Sequence, residues 1–178
     1  MDLPQYTPRL GFWMVTTFVI LISTFPLIFL GAFSGTEGAS ATKIWINFGL
    51  LMIPSSCIAL LQAFMPISRS LSARVQWLGI TVSGTAIGWG VVLALSPLLG
   101  RMQPSSTIND QLVLAAVDGF MTGAPMGVIV GLVTGFFQAC MQPLSARALL
   151  VGNLISWSMG IGIPFVLLFA AVSQIRLF

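Results

Sequence analysis

A chain of 178 residues that is 57% hydrophobic and 6% charged, with a mean hydropathy of +1.01, carries too little polar surface to cover a water-soluble domain. Its formal charge of +3 comes from seven basic and four acidic residues spread thinly along the chain, which excludes the basic cluster that a nucleic-acid partner requires. The apolar residues run in long blocks instead of alternating, so the fold expected is an all-α integral membrane domain of about five transmembrane helices and not a β-barrel.

The first predicted span is 11–33. It opens with Phe12 and Trp13 and contains Pro26, whose missing amide proton predicts a kink. No small-residue cleavage site follows, so this span is expected to stay in place as a transmembrane helix. Residues 34–40 are small and polar and read as a loop. The second span, 43–65, has Trp45 near its start and Pro54 inside it, and a short basic turn follows at 66–74. The third span, 75–99, begins near Trp77 and carries Gly79, Gly84, Gly88 and Gly90. After a polar loop at 101–110, the apolar stretch 111–141 exceeds the ~20 residues that cross a hydrocarbon core. Residues 111–117 are therefore expected at the interface and the fourth span at 119–140. A second basic turn, 142–147, leads into the fifth span at 148–172.

With five spans, Arg9, Arg69, Arg74 and Arg147 share one side, and Lys43, Arg101 and Arg176 share the other with Glu37 and Asp110. The positive-inside rule then puts the N-terminus in the cytoplasm, the membrane being a bacterial inner or a photosynthetic one. Trp13, Trp45 and Trp77 fit an interfacial belt, whereas Trp89 and Trp157 lie deeper and are expected to pack against protein. Cys57 and Cys140 lack any metal-like spacing and read as two buried thiols.

The second and fourth spans end alike, in Gln62-Ala-Phe-Met65 and Gln138-Ala-Cys-Met141, and each leads through Leu-Ser-Ala-Arg, at 71–74 and 144–147, into a Gly/Ser-rich helix. The expected architecture is one N-terminal helix plus two parallel-repeat hairpins, over 49–90 and 119–162, related by an axis along the membrane normal. Gly119, Gly123, Gly127, Gly131 and Gly135 fall on one ridge of the fourth span. Ser55, Ala59 and Ala63 in the second span and Gly152, Ser156 and Gly160 in the fifth keep the same interval. These are expected helix-packing faces; the other reading is a smooth face that receives a pigment ring or a polyene or lines a passage.

Asp118 immediately precedes the glycine ridge, where its carboxylate would cap the fourth helix or, alternatively, carry a proton, bind a cation or meet a partner. Gln62, Gln138, Asn47 and Asn153 are the amides placed within spans, suited to bracing neighbouring helices or contacting a ligand. The chain contains no His, no carboxylate pair, no Cys-rich metal site and no P-loop, so no enzyme, catalytic residue, metal or cofactor is expected. A chlorophyll-type ring held through an amide, a carbonyl or water stays compatible with these residues, as do carotenoid and lipid.

At Gly127-x-x-x-Gly131-x-x-x-Gly135-x-x-Gln138, then an Arg-bearing turn and a Gly/Ser helix containing Trp157, the chain resembles small uncharacterised bacterial membrane proteins built from Gly-rich, Gln-terminated helical hairpins. The resemblance covers residues 119–162 and more faintly 49–90, and the Trp-bearing, more basic turn of those proteins is absent. It implies a hairpin-based fold and carries over no activity. The function expected is that of a non-catalytic accessory subunit of a larger membrane complex, photosynthetic or respiratory, with other integral membrane subunits and lipids as partners. The alternative is a small-molecule transporter or its substrate-binding membrane component, using Asp118, Asn153 or Gln138 as ligand contacts.

Overall fold

The computed structural model describes residues 10–33, 41–64, 70–101, 112–141 and 146–175. They form α1 (Leu10–Ser23), α2 (Phe25–Phe33), α3 (Ala41–Phe64), α4 (Leu71–Arg101), α5 (Leu112–Met141) and α6 (Ala146–Ile175), with no strand among the described residues. Thr42–Phe64, Leu71–Leu95, Leu114–Met141 and Ala146–Val172 are each long and apolar enough to cross a membrane, and Gly11–Ser23 is a shorter apolar helix. The chain is a multi-pass, all-α membrane protein.

The expected first span is two helices. Pro26 has no amide proton to return to the carbonyl of Ile22, and its ring crowds that turn. Just before it, Thr24 Oγ1 donates to Ile20 O at 2.6 Å and Ser23 Oγ to Val19 O at 2.8 Å, back-bonding that bends a helix. The backbone restarts at Thr24, whose carbonyl accepts from Leu27 N at 3.0 Å and Ile28 N at 3.3 Å. Pro54, Pro125 and Pro164 each lie within an unbroken helix.

Two further expectations change. The first Leu-Ser-Ala-Arg is not a turn but the opening of α4: Ala73 N donates to Ser70 Oγ at 3.3 Å and Arg74 N to Ser70 O at 3.1 Å, an N-cap that lets a polar segment start a helix. In the second copy Ala146 and Arg147 are likewise helical, and Leu144 and Ser145 lie outside the described residues. The expected loop at 34–40 and residues 65–69 also lie outside them; of the expected loop at 101–110, Arg101 is the last residue of α4 and the rest lies outside the described residues. Residues 112–117, expected apart from the fourth span, are continuous with it in α5. Asp118 therefore sits inside α5 and cannot be its N-cap.

Packing closes a ring in which α1 meets α6, α6 meets α5, α5 meets α4, α4 meets α3, and α3 returns to α1, with α2 lying on α3. The α5–α6 interface is the most extensive. The main apolar core holds Leu21, Leu51, Ile58, Trp89, Val130, Trp157, Ile161 and Phe165. A smaller cluster of Trp13, Ala63, Trp77 and Leu149 lies toward the end where α3 and α5 finish and α1, α4 and α6 begin. Of the three tryptophans expected at the interface, Trp13 and Trp77 are thus buried against each other, ring centroids 5.0 Å apart, while Trp45 is 71% exposed. Trp89 and Trp157 are fully buried and meet edge to face at 6.2 Å. Cys57 and Cys140 are exposed on the outer surface, contrary to the expected burial, because a lipid-facing position accepts a thiol as readily as a core does.

Candidate functional site: a buried polar layer

Between the two apolar clusters lies a layer to which α1, α3, α4, α5 and α6 each contribute one polar side chain. It is placed by helical repeat: Thr17, Thr81 and Asn153 each stand four residues, about one turn, beyond Trp13, Trp77 and Leu149 of the smaller cluster. Gln62 and Gln138 reach the same level from the ends of α3 and α5.

Gln138 is the hub. Its Nε2 donates to Gln62 Oε1 and to Thr81 Oγ1, both at 3.0 Å, and its Oε1 accepts from Asn153 Nδ2 at 2.8 Å. Gln62 Nε2 donates onward to Thr17 Oγ1 at 3.2 Å, and Asn153 Nδ2 also donates to Leu149 O at 2.8 Å. Gln138 is fully buried, and the other four are no more than 7% exposed. An unpaired amide here would face hydrocarbon, so mutual pairing is what makes the burial tolerable. Sliding any one helix by a turn would take its polar side chain away from these partners and leave them bare, so the layer fixes the register of the ring. Amides and hydroxyls of this kind bind and align; they supply no general base, activated nucleophile or ion pair. Among the described residues no group of His, Cys, Asp or Glu is placed to hold a metal.

Of the amides singled out in the sequence, the fold brings Gln62, Gln138 and Asn153 together. Asn47 is buried on α3 fifteen residues before Gln62, about 22 Å along the helix, and its Nδ2 has no hydrogen-bond partner among the described residues. Asp118 is twenty residues, about 30 Å, from Gln138 along α5, with its backbone carbonyl accepting from Thr122 Oγ1 at 2.7 Å. Thr17 and Thr81 were not foreseen as members. A signal was present: Trp13-x-x-x-Thr17 and Trp77-x-x-x-Thr81 are the same pattern.

The small-residue positions divide between neighbours. All five ridge glycines of α5 lie against the backbone or inner side chains of α6: a methyl group on Gly131 would stand 2.7 Å from Asn153 O, one on Gly119 2.5 Å from Phe165 O, and one on Gly135 3.1 Å from Leu150 Cα. Gly127 meets the Trp157 carbonyl and Gly123 the Phe165 ring even more closely. Gly160 of α6 faces Leu21 of α1, where an added methyl would lie 2.6 Å from Leu21 Cδ1. Gly152 and Ser156 share a 2.6 Å bond from the Ser156 hydroxyl to the Gly152 carbonyl. Gly84 and Gly88 of α4 receive Thr134 and Val130 of α5. In α3, Ala59 is buried, and Ser55 accepts from Trp89 Nε1 at 3.0 Å while donating to Leu51 O at 3.1 Å.

No protein-family model, curated protein or solved structure matches the chain.

Proposed function

We propose that this protein is a non-catalytic accessory subunit that packs into a larger membrane complex through the outer face of α4. The observation that carries the reading is that face itself. Gly79, Ser83, Gly90 and Ala94 are exposed along it, with Ile87 standing out between Ser83 and Gly90, and a methyl group added at Gly79 or Gly90 would meet nothing within 4 Å. Inside this bundle, glycines serve to bring a neighbouring backbone close. The same residue type facing outward is suited to a helix of another subunit, since membrane helices associate through close contact at small residues.

In this reading the first span, α1 with α2, completes five crossings and the N-terminus is cytoplasmic. The hairpins α3–α4 and α5–α6 are two copies of one unit. Their equivalent glutamines, Gln62 and Gln138, are hydrogen-bonded to each other, the contact expected of equivalent residues beside an axis along the membrane normal. The resemblance to Gly-rich hairpin proteins favours a bacterial membrane for this reading, in which the host is a photosynthetic or respiratory complex and lipid or pigment covers the remaining outer surface. A transporter would call for polar groups free at mid-membrane. The three amides gathered here lie near one end of the bundle and use all but one of their donor protons within the layer and on Leu149 O.

The test is purification of the native protein in mild detergent, with native mass and absorbance spectrum recorded together. Stoichiometric co-migration with other membrane subunits is expected. A protein that runs alone carrying a small polar molecule would replace this reading with the transporter.

A further inference from the structure

A small crevice lies beside the polar layer, between α1 and α6 and open on one side, with Thr17, Gln62, Asn153 and Ser156 among its walls. Its volume of about 10 Å³ is at the lower bound for one water molecule and too small for anything larger. The hydrogen bonds of the layer leave specific capacity at this spot. Both Nδ2 protons of Asn153 are engaged, by Gln138 and by Leu149 O, so what remains to it is the acceptor Oδ1. Gln62 uses one Nε2 proton on Thr17 and retains the other. Ser156 has given its proton to Gly152 O and retains acceptor capacity. A donor, acceptors and room for one heavy atom thus converge on one wall of a membrane bundle, where an unmatched amide is costly and two to four polar partners make a water site.

We infer that this crevice is a binding site for a single water molecule, which donates to Asn153 Oδ1 and accepts from Gln62 Nε2. Access is short. Asn153 is seven residues from the start of α6 and Thr17 seven from the start of α1, about 10 Å below the helix ends. The water bridges α3 and α6, whose side chains otherwise meet only through Gln138 in this layer. Gln138, fully buried with both Nε2 protons engaged, stays dry behind it. This site does not depend on the accessory-subunit reading.

The experiment is hydrogen exchange of side-chain amides by NMR, on the full chain labelled with ¹⁵N at Asn and Gln and embedded in phosphatidylcholine nanodiscs. Gln62, with its free Nε2 proton on the water, is expected to exchange at least about tenfold faster than Gln138 and Asn153, whose amide protons are all engaged and whose release requires the layer to open. Filling the crevice from α6 with Ser156→Val, or from α1 with Met14→Phe, is expected to slow Gln62 to the Gln138 rate. Equal exchange at all three side chains in the native protein would overturn the site. So would an unchanged Gln62 rate in either filled variant that folds, and the native comparison decides the matter if neither does.

Discussion

The helix pairs α3–α4 and α5–α6 are held together by opposite means. In the proposed repeat, moving back 76 residues, the interval between the bonded glutamines, sets Gly123, Gly127, Gly131 and Gly135 of α5 against Asn47, Leu51, Ser55 and Ala59 of α3. In α5–α6 the absent side chains let the α6 backbone lie directly on the ridge. In α3–α4 the matching positions keep side chains, and the contact is made by Trp89 reaching Ser55 with an indole hydrogen bond. The interfaces differ in extent accordingly, α5–α6 being much the larger. Backbone contact leaves no room for a methyl group at Gly119, Gly123, Gly127 or Gly131 without a shift of α6, whereas contact through side chains leaves room for adjustment. The polar layer spans the two, hung on the Gln138 amide of α5 and on Gln62 of α3.

The largest effect expected is therefore at the ridge. Gly127→Leu must displace the α6 backbone at Trp157 and should destabilise by about 3 kcal/mol or more, or prevent folding, in reversible unfolding from mixed micelles. Ala59→Gly, which removes a methyl group from the other hairpin at the position set against Gly135, should cost only about 1 kcal/mol. Equal costs for the two variants would break the contrast. Next comes the hub: Gln138→Leu leaves Gln62, Thr81 and Asn153 each short of a partner and should cost about 1–2 kcal/mol, with a coupling to Gln62→Leu of roughly 0.6–1.7 kcal/mol in a double-mutant cycle. Trp89→Phe should cost about 1 kcal/mol, because Ser55 keeps its bond to Leu51 O when the indole donor is gone. Smallest is Gly79→Ala on the open face of α4, expected to change unfolding by no more than about 0.5 kcal/mol.

Much of the helical framework could be read from the apolar blocks, because lipid forces each block to satisfy its own backbone. Helix ends were less legible. Hydropathy treats Leu71-Ser-Ala-Arg74 as a turn, yet Ser70 caps it and a helix accepts such residues in its first turn. The same blindness put Asp118 at a helix start when it lies within α5. Facing was the least legible quantity. In lipid the outer and inner faces are both apolar, so no polar stripe marks the outside, and Cys57, Cys140, Trp13 and Trp77 were each assigned to the wrong environment. The amides of the layer stood out because Gln and Asn are rare in such helices. Thr17 and Thr81 did not, since threonine commonly satisfies itself on its own helix, as Thr16 and Thr85 do here.

The glycines of this bundle divide into those that hold it together and those that face outward. One comparison tests this division directly: the native mass of the Gly90→Leu protein in mild detergent beside that of the wild type, with the unfolding midpoint of each. The expected result is an unchanged midpoint, a wild type in stoichiometric association with other membrane subunits, and a variant that has lost them. A Gly90→Leu protein that keeps its partners, or a wild type that has none, would contradict it.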